Sequence, residues 1–222
     1  MAETETAGPA PRLALLTPYG LGASEAEATA RALEAACGAG DVAAVILRLA
    51  AGDERSLINL VKQLAPPAQA GGAAVLVSIP GFDGDIVSVA ARGGADGVHL
   101  DRADETTLRD LRGRLRDGRI LGTGGVLGSR DAAMVAGETG VDYLVFGGLF
   151  PDGVAPDADE VRERATWWAE IFETPCIAVA AAAGEVAALA ATGAEFVALE
   201  SGLWLGDPEG VRTAQAQLDT VR

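Results

Sequence analysis

Four stretches of the chain repeat one order of residue types: a helix end, a glycine, a small residue, an acidic residue and then an apolar run. They read GAGDVAAVIL from Gly38, GGADGVHL from Gly93, TGVDYLVF from Thr139 and TGAEFVAL from Thr192. Glycine accepts the left-handed backbone of a helix C-cap, and a strand covered on both faces is apolar throughout. Each stretch therefore reads as the joint from a helix into a parallel strand, and the recurrence marks an alternating β/α chain.

Eight apolar, strand-like runs occupy residues 13–17, 42–49, 73–79, 97–100, 120–123, 143–146, 176–179 and 196–200. Segments of helical period separate them: Ser24 to Ala36, Leu57 to Leu64, Asp83 to Arg92, Thr107 to Leu115, Ser129 to Ala136, Val161 to Ile171, Glu185 to Ala191 and Pro208 to Val221. Ser24, Ser56, Asp104 and Ser129 stand where N-caps belong, and Pro208 opens the last helix. Eight strands in strict alternation with eight helices predict a single α/β domain, a closed (β/α)8 barrel over residues 13–222, preceded by a loose tail at 1–12. No Pro/Ser-rich linker divides the chain.

Thirty-two acidic residues against 17 basic ones leave a net charge of −15. That field repels polyanions, so neither nucleic acid nor an anionic membrane is an expected partner. The N-terminus lacks a basic start followed by an apolar segment, and no run approaches the roughly 18 apolar residues of a membrane span, so the expected location is the cytoplasm. Cys37 and Cys176 stand far apart with no metal or redox spacing and are expected to be buried free thiols.

In a (β/α)8 barrel the site is built where the strands end. There the chain resembles thiamine phosphate synthase and its thiazole tautomerase relatives. The matching residues are GADGVHL at 94–100 followed by Asp104, GVDYLVFGGLFP at 140–151, PCIAVAAA at 175–182 and GAEFVALESGL at 193–203. The resemblance runs from about Leu13 to Leu203. It implies a transferase of thiamine biosynthesis that joins a pyrimidine carrying pyrophosphate to a thiazole phosphate, with magnesium as cofactor and pyrophosphate as the leaving group.

Carried over residue by residue, the resemblance assigns catalysis to Arg48 and Ser201, magnesium to Asp85 and Asp104, and substrate contacts to Thr123, Gly124, Gly148, Ala180 and Ala181. Asp83 competes with Asp85 for the metal position, and helix N-capping is the ordinary alternative for all three aspartates. Several family features are replaced. The Gln and Lys flanking the arginine are absent around Arg48, and the Thr-x-Thr-Lys pyrophosphate loop is Asp152-Gly153-Val154-Ala155. The Gly-Gly beside the thiazole phosphate is Ala180-Ala181, and the apolar residue before Ser201 is Glu200.

The glycine-rich run GTGGVLGS at 122–129 has neither a P-loop lysine nor a dinucleotide spacing, which leaves close backbone packing as the simpler account. His99, the only histidine, lies inside a strand segment shared with the family and reads as a packed, hydrogen-bonded imidazole. No histidine follows the fifth strand, where the tautomerases use one, and Lys62, the single lysine, lies mid-helix rather than at a strand end. Trp167 and Trp168 fall on an outer helix, where packing against neighbouring elements is the favoured reading and a homodimer through that face the alternative. Three functional readings remain: a divergent synthase, a barrel of the same descent that binds a less charged ligand or a protein, and an unrelated activity at the same strand ends.

Overall fold

The computed structural model describes residues 10–115, 118–149 and 153–221. Eight parallel strands close into a barrel in chain order: β1 (Arg12–Leu16), β2 (Val42–Arg48), β3 (Ala74–Ser78), β4 (Gly97–Asp101), β5 (Ile120–Gly124), β6 (Tyr143–Phe146), β7 (Cys176–Ala180) and β8 (Phe196–Leu199). The last strand pairs with the first, Leu15 beside Leu199. The helices between them are α1 (Ala26–Cys37), α2 (Glu54–Ala70), α3 (Ile86–Gly93), α4 (Glu105–Arg114), α5 (Arg130–Gly137), α6 (Ala158–Ile171), α7 (Val186–Ala190) and α8 (Glu209–Asp219). The expected single (β/α)8 barrel is the observed fold. Of the expected tail, residues 1–9 lie outside the described residues, and Arg12 already begins β1.

The repeated joint has a definite job. Gly94, Gly140 and Gly193 take positive φ of 86°, 84° and 87°, the left-handed turn that only glycine adopts cheaply. Gly38 does not, at φ −80°. The acidic residue that follows reaches sideways to the start of the preceding strand: Asp96 accepts from Val75 N, Asp142 from Leu121 N and Glu195 from Cys176 N, at 2.7 to 2.9 Å. Asp41 instead binds Arg12 at the foot of β1. The recurring carboxylate thus satisfies N–H groups at the bottom edge of the sheet that ladder bonds leave over.

Alternation along each strand divides the core into two layers. Leu13, Leu15, Val45, Leu47, Val75 and Val77 point outward beneath the helices, while Ala14, Leu16, Ile46, Leu76, Tyr143, Val145, Ile177 and Val179 fill the barrel. Carried one step up each strand, the same period places Arg48, His99, Asp101 and Glu200 on the inner face at the mouth.

Three local expectations are corrected. Asp53, not Ser56, caps α2, accepting from Ser56 N at 3.0 Å, so the helix begins three residues earlier than the apolar period indicates. It also continues through Pro66 and Pro67 to Ala70, because Ala65 and Ala68 on that last stretch are buried against the barrel. Glu25 holds the N-cap position of α1, and Ser24 hydrogen-bonds its carboxylate at 2.7 Å instead of the helix. Trp168 packs as expected: it is 1% exposed, its ring stacks on Phe172 at 4.0 Å, and its Nε1 donates to the Thr174 carbonyl. Only Trp167 is left toward the surface, with the Arg130 guanidinium 4.9 Å from its ring centre. The two cysteines are free and buried, as expected.

Candidate functional site

Arg48 ends β2 on the inner face, and Glu200 follows β8, with only β1 between the two strands. Their side chains are 3% and 2% exposed and meet in a two-pronged ion pair, Nη1 to Oε1 at 3.0 Å and Nη2 to Oε2 at 2.5 Å. Arg48 Nε donates to the Thr17 carbonyl, and the guanidinium lies 4.1 Å from the centre of the Tyr19 ring. Glu200 is a hub, because its Oε1 also accepts from Leu149 N at 2.7 Å and its Oε2 from Ser201 N at 3.3 Å. One carboxylate therefore gathers the cation of strand two and the backbone donors of the loops after strands six and eight. Gly148, at φ +92°, turns the chain so that Leu149 N faces it.

A second carboxylate does the same after β7. Glu185 Oε2 accepts from Ala181 N at 2.8 Å and Ala182 N at 3.3 Å, so these backbone donors are already taken. Ala180 is fully buried, and alternation turns its side chain out to the helix layer. Thr123 faces the same way, with Oγ1 donating to the Leu100 carbonyl at 2.8 Å. Neither side chain lines the mouth.

The inner face of β4 carries a hydrogen-bonded series. Tyr143 OH lies 3.0 Å from His99 Nδ1, His99 Nε2 lies 3.2 Å from Asp101 Oδ1, and Tyr19 OH lies 3.5 Å from Asp101 Oδ2. Burial pushes the Tyr143 hydroxyl well above the usual phenol range, so it keeps its proton. A carboxylate can only accept, so in the contact with Asp101 it is His99 Nε2–H that donates. Burial works against ionisation of Asp101, but His99, Arg48 and Tyr19 outweigh it and hold its carboxyl below the usual range.

Glycines on β5 make room for this series. A Cβ on Gly122 would lie 1.9 Å from Tyr143 Cζ, and one on Gly124 would lie 2.6 Å from Asp101 Oδ1. The glycine-rich run is therefore explained by packing, and Gly124 serves the site by leaving space.

Two clefts open at the mouth, and Asp101 borders both. The larger, about 510 Å³, lies between Tyr19, Arg102, Leu127, Gly148, Leu149 and Glu160. The smaller, about 330 Å³, lies between the ends of β3 and β4 and is bordered by Ser78, Phe82, His99 and Arg114.

The magnesium candidates are spoken for in another way. Asp85 caps α3, with Oδ1 accepting from Val87 N and Ser88 N, and the same oxygen lies 2.5 Å from Arg114 Nη2. Partial burial would raise its pKa, but the Ser88 N–H and Arg114 outweigh that and lower it. Asp104 caps α4 through Thr107 N at 2.8 Å, a bond that lowers its pKa. Asp83 is exposed and caps nothing. Among the described residues no three His, Cys, Asp or Glu side chains converge as metal ligands. A hard cation prefers carboxylate oxygens free of competing cations. This donor set, as arranged, does not fit magnesium.

Of the sequence-derived site residues, the fold brings Arg48, Gly148 and Ser201 together around Glu200, and keeps Asp85 and Asp104 on separate helix starts. Asp101, Tyr19, Tyr143 and Glu185 are additions. Period-two counting from His99 is the signal that places Asp101 on the inner face; Glu185 carries none, because its role depends on the loop conformation.

The family model for thiamine monophosphate synthase matches residues 13–203. A protein named thiamine-phosphate synthase from Rhodospirillum centenum is 38% identical over 217 residues, 95% of this chain and 97% of that one. Another of that name, from Hyphomonas neptunium, is 34% identical over 212 residues, 90% of each. Among solved structures, a thiamine phosphate pyrophosphorylase from Pyrococcus furiosus superposes with a TM-score of 0.73 at 20% identity, covering 95% of this chain and 96% of its own. That last likeness speaks to the fold.

Proposed function

Since the chain belongs to the thiamine monophosphate synthase family, we propose that it keeps the ligand pocket at the barrel mouth but takes there a small ligand of low negative charge, turning over the family's phosphorylated reactants poorly. The observation that carries this reading is the pair of internal carboxylates: Glu200 holds Arg48, Leu149 N and Ser201 N, while Glu185 holds Ala181 N and Ala182 N.

These are the donors at the ends of strands two, six, seven and eight. A phosphate arriving there must displace a carboxylate that already makes the same bonds, each worth about 1.5 to 3 kcal/mol. It must also sit beside that carboxylate, and two unit charges 4 Å apart repel by about 1 kcal/mol in water and about 4 near a protein surface. A net handicap of about 3 kcal/mol is already a factor of about a hundred in affinity or rate.

One observation favours a second reading, a working synthase: the near full-length 38% identity to the Rhodospirillum centenum protein of that name. There the chain would join the pyrimidine to the thiazole phosphate and release pyrophosphate, with Glu200 swinging off Arg48 as the substrates enter.

The two are separated by assaying both proteins side by side with the two family reactants and magnesium. The first reading expects kcat/KM at least about a hundredfold below that of the relative. Comparable turnover would establish the second.

A further inference from the structure

The inner-face series on β4 points to the class of ligand, and this step rests on the low-charge reading above. We propose that Asp101 is a recognition carboxylate for a planar amidinium cation, whose paired N–H groups it would accept, bound in the cleft bordered by Tyr19, Leu127 and Leu149.

Asp101 is built to accept. A carboxylate only accepts, so His99 Nε2–H donates to Oδ1, 3.2 Å away, and holds the carboxylate's orientation. Among the described residues Oδ2 has the Tyr19 hydroxyl alone as a hydrogen-bond partner, at the long distance of 3.5 Å. Among the described residues His99 is its only ion-pair partner, and 30% of the Asp101 side chain remains open. An anchored carboxylate with an oxygen facing a concave site gains most from a charged donor, because charge-assisted bonds are about twice as strong as neutral ones.

The surroundings select shape. Arg48 covers one face of the Tyr19 ring, so Tyr19 is held as a wall of the cleft rather than free to collapse into it. The other walls include Pro80, Leu127 and Leu149, and about 510 Å³ suits a one- or two-ring molecule. The chain's charge of −15 raises the local concentration of cations and lowers that of anions. The bare inner face of β5 at Gly122 and Gly124 belongs to the same construction, since a methyl at Gly124 would strike Asp101 itself.

Benzamidine and benzoate, one planar cation and one planar anion of equal size, are titrated calorimetrically into the native protein and into Asp101→Asn, and benzamidine is mapped by amide chemical shifts on the native protein. Saturable benzamidine binding, at least tenfold weaker in Asp101→Asn, with shifts at Asp101, Leu127 and Leu149 and no matching affinity for benzoate, supports the assignment. Should Asp101→Asn not fold, the native shift map and the benzamidine-to-benzoate contrast decide it. Absence of benzamidine binding, equal binding of benzoate, or shifts confined elsewhere overturns it. Inorganic pyrophosphate titrated into the same sample separates this failure from that of the broader reading: if neither probe binds, only the cation assignment falls, whereas saturable pyrophosphate binding removes the low-charge reading on which it rests.

Discussion

Glu200 and Arg48 meet over the end of β1 through two parallel bonds of 3.0 and 2.5 Å, although 152 residues separate them along the chain. Both side chains are almost completely out of water. Removing one partner of such a pair strands the other's charge, at a cost of about 3 to 5 kcal/mol. Glu200→Gln and Arg48→Met are each expected to lose about that much in urea unfolding. The double variant Arg48→Met/Glu200→Met should lose less than the sum, which gives the coupling directly.

Gly122 is tied to Tyr143 by space alone. A Cβ there would overlap the phenol ring, with Cζ at 1.9 Å and Cε1 at 2.3 Å, and the ring is held at its far end by His99. Overpacking of this kind costs about 1 to 3 kcal/mol. Gly122→Ala should lower the unfolding free energy by that amount in the native background. In a Tyr143→Ala background the penalty should nearly vanish.

The thiols report burial chemically. Desolvation pushes Cys37 up to about 11 and Cys176 to about 12. The thiolate is the reactive form, so a disulfide reagent at pH 8 should label neither cysteine in the folded protein and both after denaturation. A raised thiol pKa also stabilises the fold fully below the unfolded value, about 8.5, and that contribution is lost as pH rises through the folded values.

Acid should unlock the mouth. A carboxyl held below its ordinary value, as Asp101 is, stabilises the fold fully above the unfolded pKa of about 3.9, and loses this as pH falls through the folded value. Asp101→Asn should therefore be less stable than the native protein at pH 7, with the gap narrowing toward pH 3. Chemical denaturation at the two pH values measures it.

How much of this is legible in the sequence follows from what each feature depends on. The eight strands are visible because a parallel strand covered on both faces is apolar throughout, and the glycine-acid joint marks where four of them, β2, β4, β6 and β8, begin. The course of α2 beyond Leu64 is hidden, since Pro66 and Pro67 ordinarily end a helix and only the buried positions of Ala65 and Ala68 carry it on. At the mouth, single substitutions such as Glu200 for an apolar residue are visible as changes of charge. Their consequence is not, because which cation and which backbone N–H groups a carboxylate gathers depends on strands far apart in the chain. Thr123 and Ala180 illustrate the remainder: they stand at the ends of strands, where a site is expected, yet strand alternation turns both toward the helices.

The central claim is that carboxylates of the chain itself occupy the donors a phosphorylated reactant would need. Calorimetric titration of inorganic pyrophosphate with magnesium, read together with the amide shifts of Leu149, Ala181 and Ser201, tests it most directly. No saturable binding up to about 1 mM, a binding free energy weaker than about −4.1 kcal/mol, with those amides unmoved, is the expected result. A low-micromolar Kd with all three amides shifting would contradict it.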